Sequence, residues 1–335
     1  MANVLLALIE RFWGCEMLIT KEHFKRIYEN NTVGITNLAL IIDNDCNANC
    51  KACIAKHVFK SSLCKEVCEG YATCKHIRCC DHTATDEEFY TAVEEILATV
   101  TSPYVDIVIT GGEPTLSHRF LPILEIIAKH DYPAKSISLE TNGAKLGDAD
   151  VAEAIKKYNI QIHLSRYSTN EEKNREEFGY TDNETTNEDL KAYAETYGNL
   201  LCVNTVMLKK NIPSATELLH MVTELENLGV RHHEFVEMMA DVTLEQSNKE
   251  LIAYYNEQLI TAEQLRKELA DLGVKELYAE YGEAMGVSIH EYNGVQFSMM
   301  YSKLDKQHLV VPNNEARKFL IMPSGEIGVD GIEKE

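Results

Sequence analysis

The sequence contains no long apolar run. Across 335 residues, no stretch reaches the roughly 18–20 consecutive apolar positions that cross a bilayer, so no membrane partner is expected. The apolar opening, residues 1–13, carries Glu10 and Arg11 and lacks the basic start and the clear cleavage site of a signal peptide. It reads as an amphipathic helix packed on the body. A membrane-surface helix is the weaker alternative, because its polar face is not rich in Lys or Arg. Basic side chains are scarce: 32 Lys and Arg stand against 53 Asp and Glu, a formal charge of −21. That excess repels a phosphate backbone, so nucleic acid is not an expected partner. Low-complexity tracts and sequence repeats are missing. With 45% hydrophobic and 25% charged residues the chain is globular, which excludes a disordered or collagen-like polymer. At about 150 residues per domain the length suggests two domains, although a single α/β barrel also fits.

What the sequence has in excess is cysteine. Of ten, eight fall between Cys46 and Cys80, and the others are Cys15 and Cys202. Without an export signal the expected compartment is the reducing cytoplasm, where disulfides are rare. Clustered cytosolic cysteines are metal ligands or reactive thiols.

The rest of the chain alternates strand and helix patterns. A short helix is expected at 20–28 and a buried strand at 35–43 (ITNLALIID). After the cysteine-rich loop, Thr85 with Glu88 makes a capping box before a helical stripe of Phe89, Val93, Ile96, Leu97 and Val100. Strands follow at 104–110, 135–140, 160–165, 200–208 and 230–239. Helices are expected at 116–130, 150–158, 189–197 and 215–228, and 169–188 reads as a polar stretch. Such alternation means parallel pairing with helices outside the sheet. Six units make either a partial barrel or an open doubly wound sheet, and spacing does not choose between them. Beyond residue 240 come two helices and two hairpins, one turning at Asn293-Gly294 and one at Pro323-Ser324-Gly325, expected to close one end of the sheet.

Two motifs sit at the carboxyl ends of the first two strands, where parallel α/β sheets bind ligands. Cys46, Cys50 and Cys53 form C-x3-C-x2-C. Three thiolates on a short loop converge on one metal centre and leave a coordination position open, whereas a structural zinc takes a closed set of four ligands. Gly111-Gly112-Glu113-Pro114 follows the next strand. Its glycines let a ligand approach the backbone, and Glu113 offers a carboxylate.

In order and placement the two motifs together resemble the radical S-adenosylmethionine (SAM) superfamily. The resemblance covers roughly residues 35–240. It implies an α/β fold, a six-stranded partial (β/α)6 barrel (a three-quarter TIM barrel), here with a short N-terminal segment (1–34) and a C-terminal helical and β-hairpin extension (241–335). It also implies a [4Fe-4S] cluster on Cys46, Cys50 and Cys53, with the fourth iron chelating SAM. Reductive cleavage of SAM to a 5′-deoxyadenosyl radical would then abstract hydrogen from a small-molecule or peptide substrate, with flavodoxin or ferredoxin as electron donor. Gly111, Gly112 and Glu113 match the turn that receives the methionine amino group. Polar groups ending the later strands often hold the SAM ribose and carboxylate in this family, which makes Glu140, Asn142, Ser165 and Arg166 candidates. Arg166 is equally readable as a surface residue capping the next helix. Ser138 is a candidate for the lumen face. Asn204, inside an apolar strand, must find a partner, either a ligand or a neighbouring backbone. Glu237 is the candidate catalytic group among His163, His232, His233, Glu234 and Glu237.

Cys64, Cys68, Cys74, Cys79 and Cys80 form a second group within an insert at 57–82. Their spacing matches neither a ferredoxin run nor a zinc finger. They read as a second metal site, an auxiliary iron–sulfur cluster or zinc, with free or redox-active thiols as the alternative. No cysteine follows Cys202, so the C-terminal cysteine-rich domain common among peptide maturases of the family is not expected. Two other functions compete: a non-catalytic zinc- or iron-binding protein, and a glycyl-radical-enzyme activase, which the missing ferredoxin spacing ranks lower.

Overall fold

The computed structural model describes residues 17–19, 35–53, 84–238, 249–281, 285–302, 318–325 and 327–329. The expected helices at 1–13 and 20–28, Cys15 and the cysteine group at 64–80 lie outside the described residues.

Among the described residues, twelve strands form one sheet. They are β1 (Met17–Ile19), β2 (Ile35–Ile41), β3 (Tyr104–Thr110), β4 (Ala134–Thr141), β5 (Gln161–Arg166) and β6 (Leu201–Met207). Then follow β7 (His232–Glu237), β8 (Lys275–Tyr281), β9 (Met285–Tyr292), β10 (Val295–Ser302), β11 (Lys318–Ile321) and β12 (Ile327–Val329). The helices are α1 (Asp86–Thr99), α2 (Phe120–Ala128), α3 (Ala149–Lys157), α4 (Glu171–Phe178), α5 (Asn187–Tyr197), α6 (Ala215–Asn227), α7 (Lys249–Gln258) and α8 (Ala262–Asp271). Strands β2 to β7 lie side by side in sequence order and all pair in parallel. A doubly wound sheet reverses its order at a switch point. Here no reversal occurs, so the six βα units wind in one sense, as in a (β/α) barrel.

The C-terminal extension departs from expectation. It does not cap one end; it lengthens the sheet at both edges. Strand β11 pairs in parallel with β2, and β10 pairs in parallel with β7. Both hairpins form as their turns dictate. Asn293 and Gly294 carry positive φ (51° and 83°), as a primed two-residue turn requires. Gly325 (φ 76°) turns the second hairpin. The flanking strands are β-rich but short, and their pairing partners are set by the tertiary fold rather than by local pattern.

Side chains alternate across the sheet. One face carries Leu38, Leu40, Ile107, Ile109, Leu139, Ile162 and Val203, all buried against the apolar stripes of the helices. The capping box forms as expected: Glu88 N–H donates to Thr85 Oγ1 and Thr85 N–H to Glu88 Oε2. The opposite, inner face has a small apolar plug of Ala39, Ile41, Val108, Leu320 and Met322, so β11 helps fill the interior.

Arg119, 4% exposed, ties the new edge to the core. Its guanidinium donates to the carbonyls of Ile42, Ala84 and Pro323 and to Asp86 Oδ1, and it stacks 4.6 Å from the Phe89 ring. The planar fork reaches four directions that a lysine ammonium cannot. Arg119→Ala is expected to cost about 1–3 kcal/mol by urea unfolding, with Arg119→Lys rescuing little of it, because the carbonyls of Ile42, Ala84 and Pro323 lose their donor. The Arg119 hydrogen bond, then His118, holds the Asp86 carboxyl below its ordinary range. The part of stability that depends on Asp86 is therefore present above the ordinary aspartate pKa of about 3.9 and is lost as pH falls below it. An acid-unfolding curve of Asp86→Asn, flattened in that window, checks the sign.

Candidate functional site

The cysteine loop and the glycine turn meet as two extended backbones. Ile42 N–H donates to Thr110 O, Gly112 N–H to Asp43 O (2.9 Å) and Glu113 N–H to Asp45 O (2.7 Å). This zipper prolongs the β2–β3 pairing past the strand ends. It leaves no room for side chains. A Cβ on Gly111 would stand 2.3 Å from Asp43 O, and one on Gly112 would stand 2.2 Å from Asp45 O. Gly111 also has φ 144°, which a side chain disfavours. The glycines thus admit the backbone of the cysteine loop on the side where a Cβ would stand. Asp43 anchors the loop further: its carboxylate accepts from Asn44 N–H, Asp45 N–H and Ser117 Oγ.

Glu113 is 1% exposed. Its Oε1 accepts from Thr115 N–H, Thr115 Oγ1 and Thr141 Oγ1, and its Oε2 accepts from Asn142 N–H at 2.7 Å. Burial pushes its pKa up, against the pull of these donors. The carboxylate therefore joins the turn after β3 to the end of β4.

One cavity of about 190 Å³ opens at this rim. Cys46, Cys50 and Cys53 border it together with Gly111, Gly112 and Glu113. All three thiols are free of disulfides and partly exposed. Cys46 Sγ receives the Ala48 N–H at 3.4 Å and lies 3.8 Å from Asn142 Nδ2. The far wall is apolar and aromatic: Ala48, Tyr167, Phe178, Leu208 and Met238 pack together, with Cys46 and Cys50 against them. Tyr167 and Phe178 meet edge to face at 4.9 Å, and Tyr180 stacks on Phe178 at 4.6 Å. Burial pushes the Tyr167 phenol well above its usual range, and the neighbouring Cys50 and Cys53 add to the shift.

Helix α4 supplies part of that wall. Phe178 O and Glu177 O accept from Asn49 N–H and Lys51 N–H, so the end of α4 grips the cysteine loop. Glu177, 1% exposed, takes Lys210 and the Tyr254 hydroxyl. Sequence reasoning read this segment as a polar stretch, because EEKNREEF shows no apolar stripe. The signal it did carry was the Asn170 N-cap and Gly179 in the left-handed region at the end. Asn47 was also missed. Its Nδ2 donates to Asp182 O and Asn183 O, and its Oδ1 accepts from Asn142 Nδ2.

The other candidates divide between the two faces. Glu140, Ser165 and Asn204 are on the inner face and line the cavity, and Asn142 lines it from the end of β4. Asn204 Nδ2 donates to Glu234 Oε2 at 3.3 Å. Ser138 faces inward, in register with Val108, and does not border the cavity. Arg166 lies on the outer face, 1% exposed, and donates to Thr185 O and Asn187 Oδ1. It braces the loop before α5 and borders no part of the cavity. Glu237 borders the cavity, and its Oε2 accepts the Ala262 N–H at the start of α8.

Residues 40–222, more than half of the chain, match the family model described as the Radical SAM superfamily. The chain belongs to the radical SAM superfamily of enzymes. Membership implies a [4Fe-4S] cluster and SAM. Among relatives of this radical SAM chain, the radical SAM cyclopropyl synthase TigE of Paramaledivibacter caminithermalis is 26% identical over 156 residues, which cover 45% of this chain and 31% of TigE. The chain therefore spans under a third of that curated relative. SuiB of Streptococcus suis, solved with its precursor peptide SuiA, is similar in fold, with a TM-score of 0.53 at 15% identity over 92% of this chain and 62% of SuiB. SuiB bound to S-adenosylmethionine gives 0.53 at 13% identity over 92% and 63%. The residues at the rim fit an iron–sulfur cluster: three disulfide-free thiols, two N–H groups directed at one sulfur and a low-polarity wall are what thiolate-held iron takes.

Gly112→Ala is expected to spread the zipper, lowering cluster uptake after reconstitution and stability together, since its Cβ meets backbone rather than a flexible side chain. Glu113→Gln sets an amide NH2 among donors and should cost about 1–3 kcal/mol in chemical unfolding, the range for buried donors left unmatched. A stability unchanged in Glu113→Gln would show that the hub carries no strain of this kind.

Proposed function

We propose that the chain is a radical SAM catalyst, with the [4Fe-4S] cluster on Cys46, Cys50 and Cys53, that abstracts hydrogen from a peptide or small molecule held at the barrel mouth. The observation that carries this reading is the shared cavity, bordered by all three thiols, the Gly111-Gly112 turn and the inner-face polar residues Glu140, Ser165 and Asn204. Cluster and SAM together supply, on one-electron reduction, a carbon radical able to take hydrogen from a C–H bond.

The protein's own contribution is placement and exclusion. The zipper positions the cysteine loop, and Ala48 N–H and Asn142 Nδ2 at Cys46 temper the charge of its sulfur. Tyr167, Phe178 and Met238 keep water from one side of the cavity, which protects a reactive radical. Glu140, Ser165, Asn142 and Asn204 offer polar contacts to SAM or substrate from the floor and the near rim. A peptide substrate is supported by the likeness to SuiB, which was solved with a precursor peptide. Flavodoxin or ferredoxin fits as the electron donor, and the cytoplasm as a compartment that keeps the thiols reduced. The cysteines at 64–80 would hold an auxiliary cluster or zinc.

The test is anaerobic reconstitution, reduction and measurement of 5′-deoxyadenosine. The parent is expected to cleave SAM, and the Cys46→Ala/Cys50→Ala/Cys53→Ala variant to lose cleavage. Equal cleavage by parent and variant, or a parent that takes zinc at these thiols and never cleaves SAM, would overturn the proposal.

A further inference from the structure

A second group of donor atoms lies deeper in the lumen, away from the cysteine loop. Parallel register places Glu140, His163, Cys202 and His232 side by side across β4 to β7. The next row toward the carboxyl ends is Ser165, Asn204 and Glu234. Both rows fall on the inner face, because residues two apart on a strand share a face. Across these rows His163, Cys202 and Glu234 converge, with one ligand atom from each lying within 4.8 Å of the others. The side chains of His163 and Glu234 are 8% and 2% exposed.

The spacing suits an ion better than a hydrogen bond. His163 Nδ1 is 3.9 Å from Glu234 Oε2, beyond hydrogen-bond reach. Ligands bound at about 2.0–2.3 Å around a tetrahedral ion stand roughly 3.3–3.7 Å apart, so small rotamer shifts would close the set. Imidazole, thiolate and carboxylate together select a borderline transition metal and disfavour magnesium or calcium, which want oxygen. Asn204 Nδ2, bonded to Glu234 Oε2, holds the carboxylate as an outer-shell partner would.

We propose that His163, Cys202 and Glu234 form a mononuclear site for a divalent transition metal, zinc or iron(II), in the barrel lumen. It shares no ligand with the thiols of Cys46, Cys50 and Cys53. Three protein ligands leave a position open for water or a donor atom of a substrate. The group lies one step below the cavity: Ser165 and Val236, each two residues further along from His163 and Glu234, line the cavity floor with Asn204. The ion would thus sit beneath the cavity floor, where its open position would take water or a donor atom that reaches past Ser165 and Asn204.

The test uses the full chain carrying Cys46→Ala/Cys50→Ala/Cys53→Ala, stripped with chelator and titrated anaerobically with cobalt(II), then with competing zinc. In this background the outcome is independent of the radical reading: either proposal can fail while the other stands. His163→Gln, Cys202→Ser and Glu234→Gln are each added singly, so that cobalt held by other cysteines remains as a constant background. Each is expected to lose the same one bound equivalent, and Cys202→Ser to lose its share of thiolate-to-cobalt absorption. Asn204→Ala is expected to keep the equivalent but to weaken it roughly 10–100-fold, as outer-shell losses do. Zinc should raise the melting temperature of the background and raise that of the three variants less. Far-UV circular dichroism in chelator checks folding, and the near-isosteric His163→Gln and Glu234→Gln decide the matter if Cys202→Ser does not fold. Unchanged stoichiometry and affinity in the folded variants would overturn the site.

Discussion

Two backbone segments lie closer in this protein than any side chain would permit, and the rim of the sheet is built on that approach. With only hydrogens on Gly111 and Gly112, residues 43–45 pass directly over the turn, and the carbonyls of Asp43 and Asp45 accept the N–H groups of Gly112 and Glu113. The approach fixes where the cysteine loop begins and therefore where Cys46, Cys50 and Cys53 point. It also turns Glu113 inward, where the carboxylate gathers Thr115, Thr141 and Asn142. Asn142 then reaches Asn47 and the edge of Cys46. One steric permission at two positions thereby links β2, β3 and β4 into a single rim.

The cavity wall opposite depends on carboxylates that are buried but never bare. Glu177 is answered by Lys210 and Tyr254, and Glu237 by the N–H at the start of α8, a helix end that favours negative charge. Each contact crosses from the rim to a separate outer element, so charge and hydrogen bonds tie α4, α7 and α8 to the mouth in addition to the apolar burial of Phe178 on α4 and of Leu265 and Leu269 on α8. An acidic chain gains from this use of carboxylates, since its cations are few and are placed where they count: Arg119, Arg166 and Lys210 each join segments distant in sequence. Arg166 shows how register decides a role. At the end of β5 it shares a strand with Ser165, yet the two point to opposite faces. Ser165 lines the cavity while Arg166 braces the loop before α5.

Much of the βα frame was legible because it is written in local terms. The apolar strand runs, the Thr85–Glu88 capping box and the Asn293-Gly294 turn depend on neighbours within a few residues. The C-x3-C-x2-C loop and the GGEP turn were legible for the same reason, as short spacings placed just after strands. Helix α4 was not, because its stability rests on gripping the cysteine loop and carrying Phe178 into the wall rather than on an apolar stripe. The strand β8 was likewise hidden: KELYAEY pairs with the adjacent β9, but it is a largely exposed edge strand whose alternation is broken by a register shift between Glu276 and Tyr278.

Spacing along the chain was enough for the alternation of strand and helix, the family motifs and the place of the three thiols beyond the first strand. Tertiary structure alone decided which edges the C-terminal hairpins extend, which face each strand residue presents and which distant groups meet. Gly111 and Gly112 also make room for the backbone of residues 43–45, and His163, Cys202 and Glu234 converge although about seventy residues separate the first from the last. The physical reason is that register and close packing are relations between segments, and a relation between segments has no signature in either one taken singly.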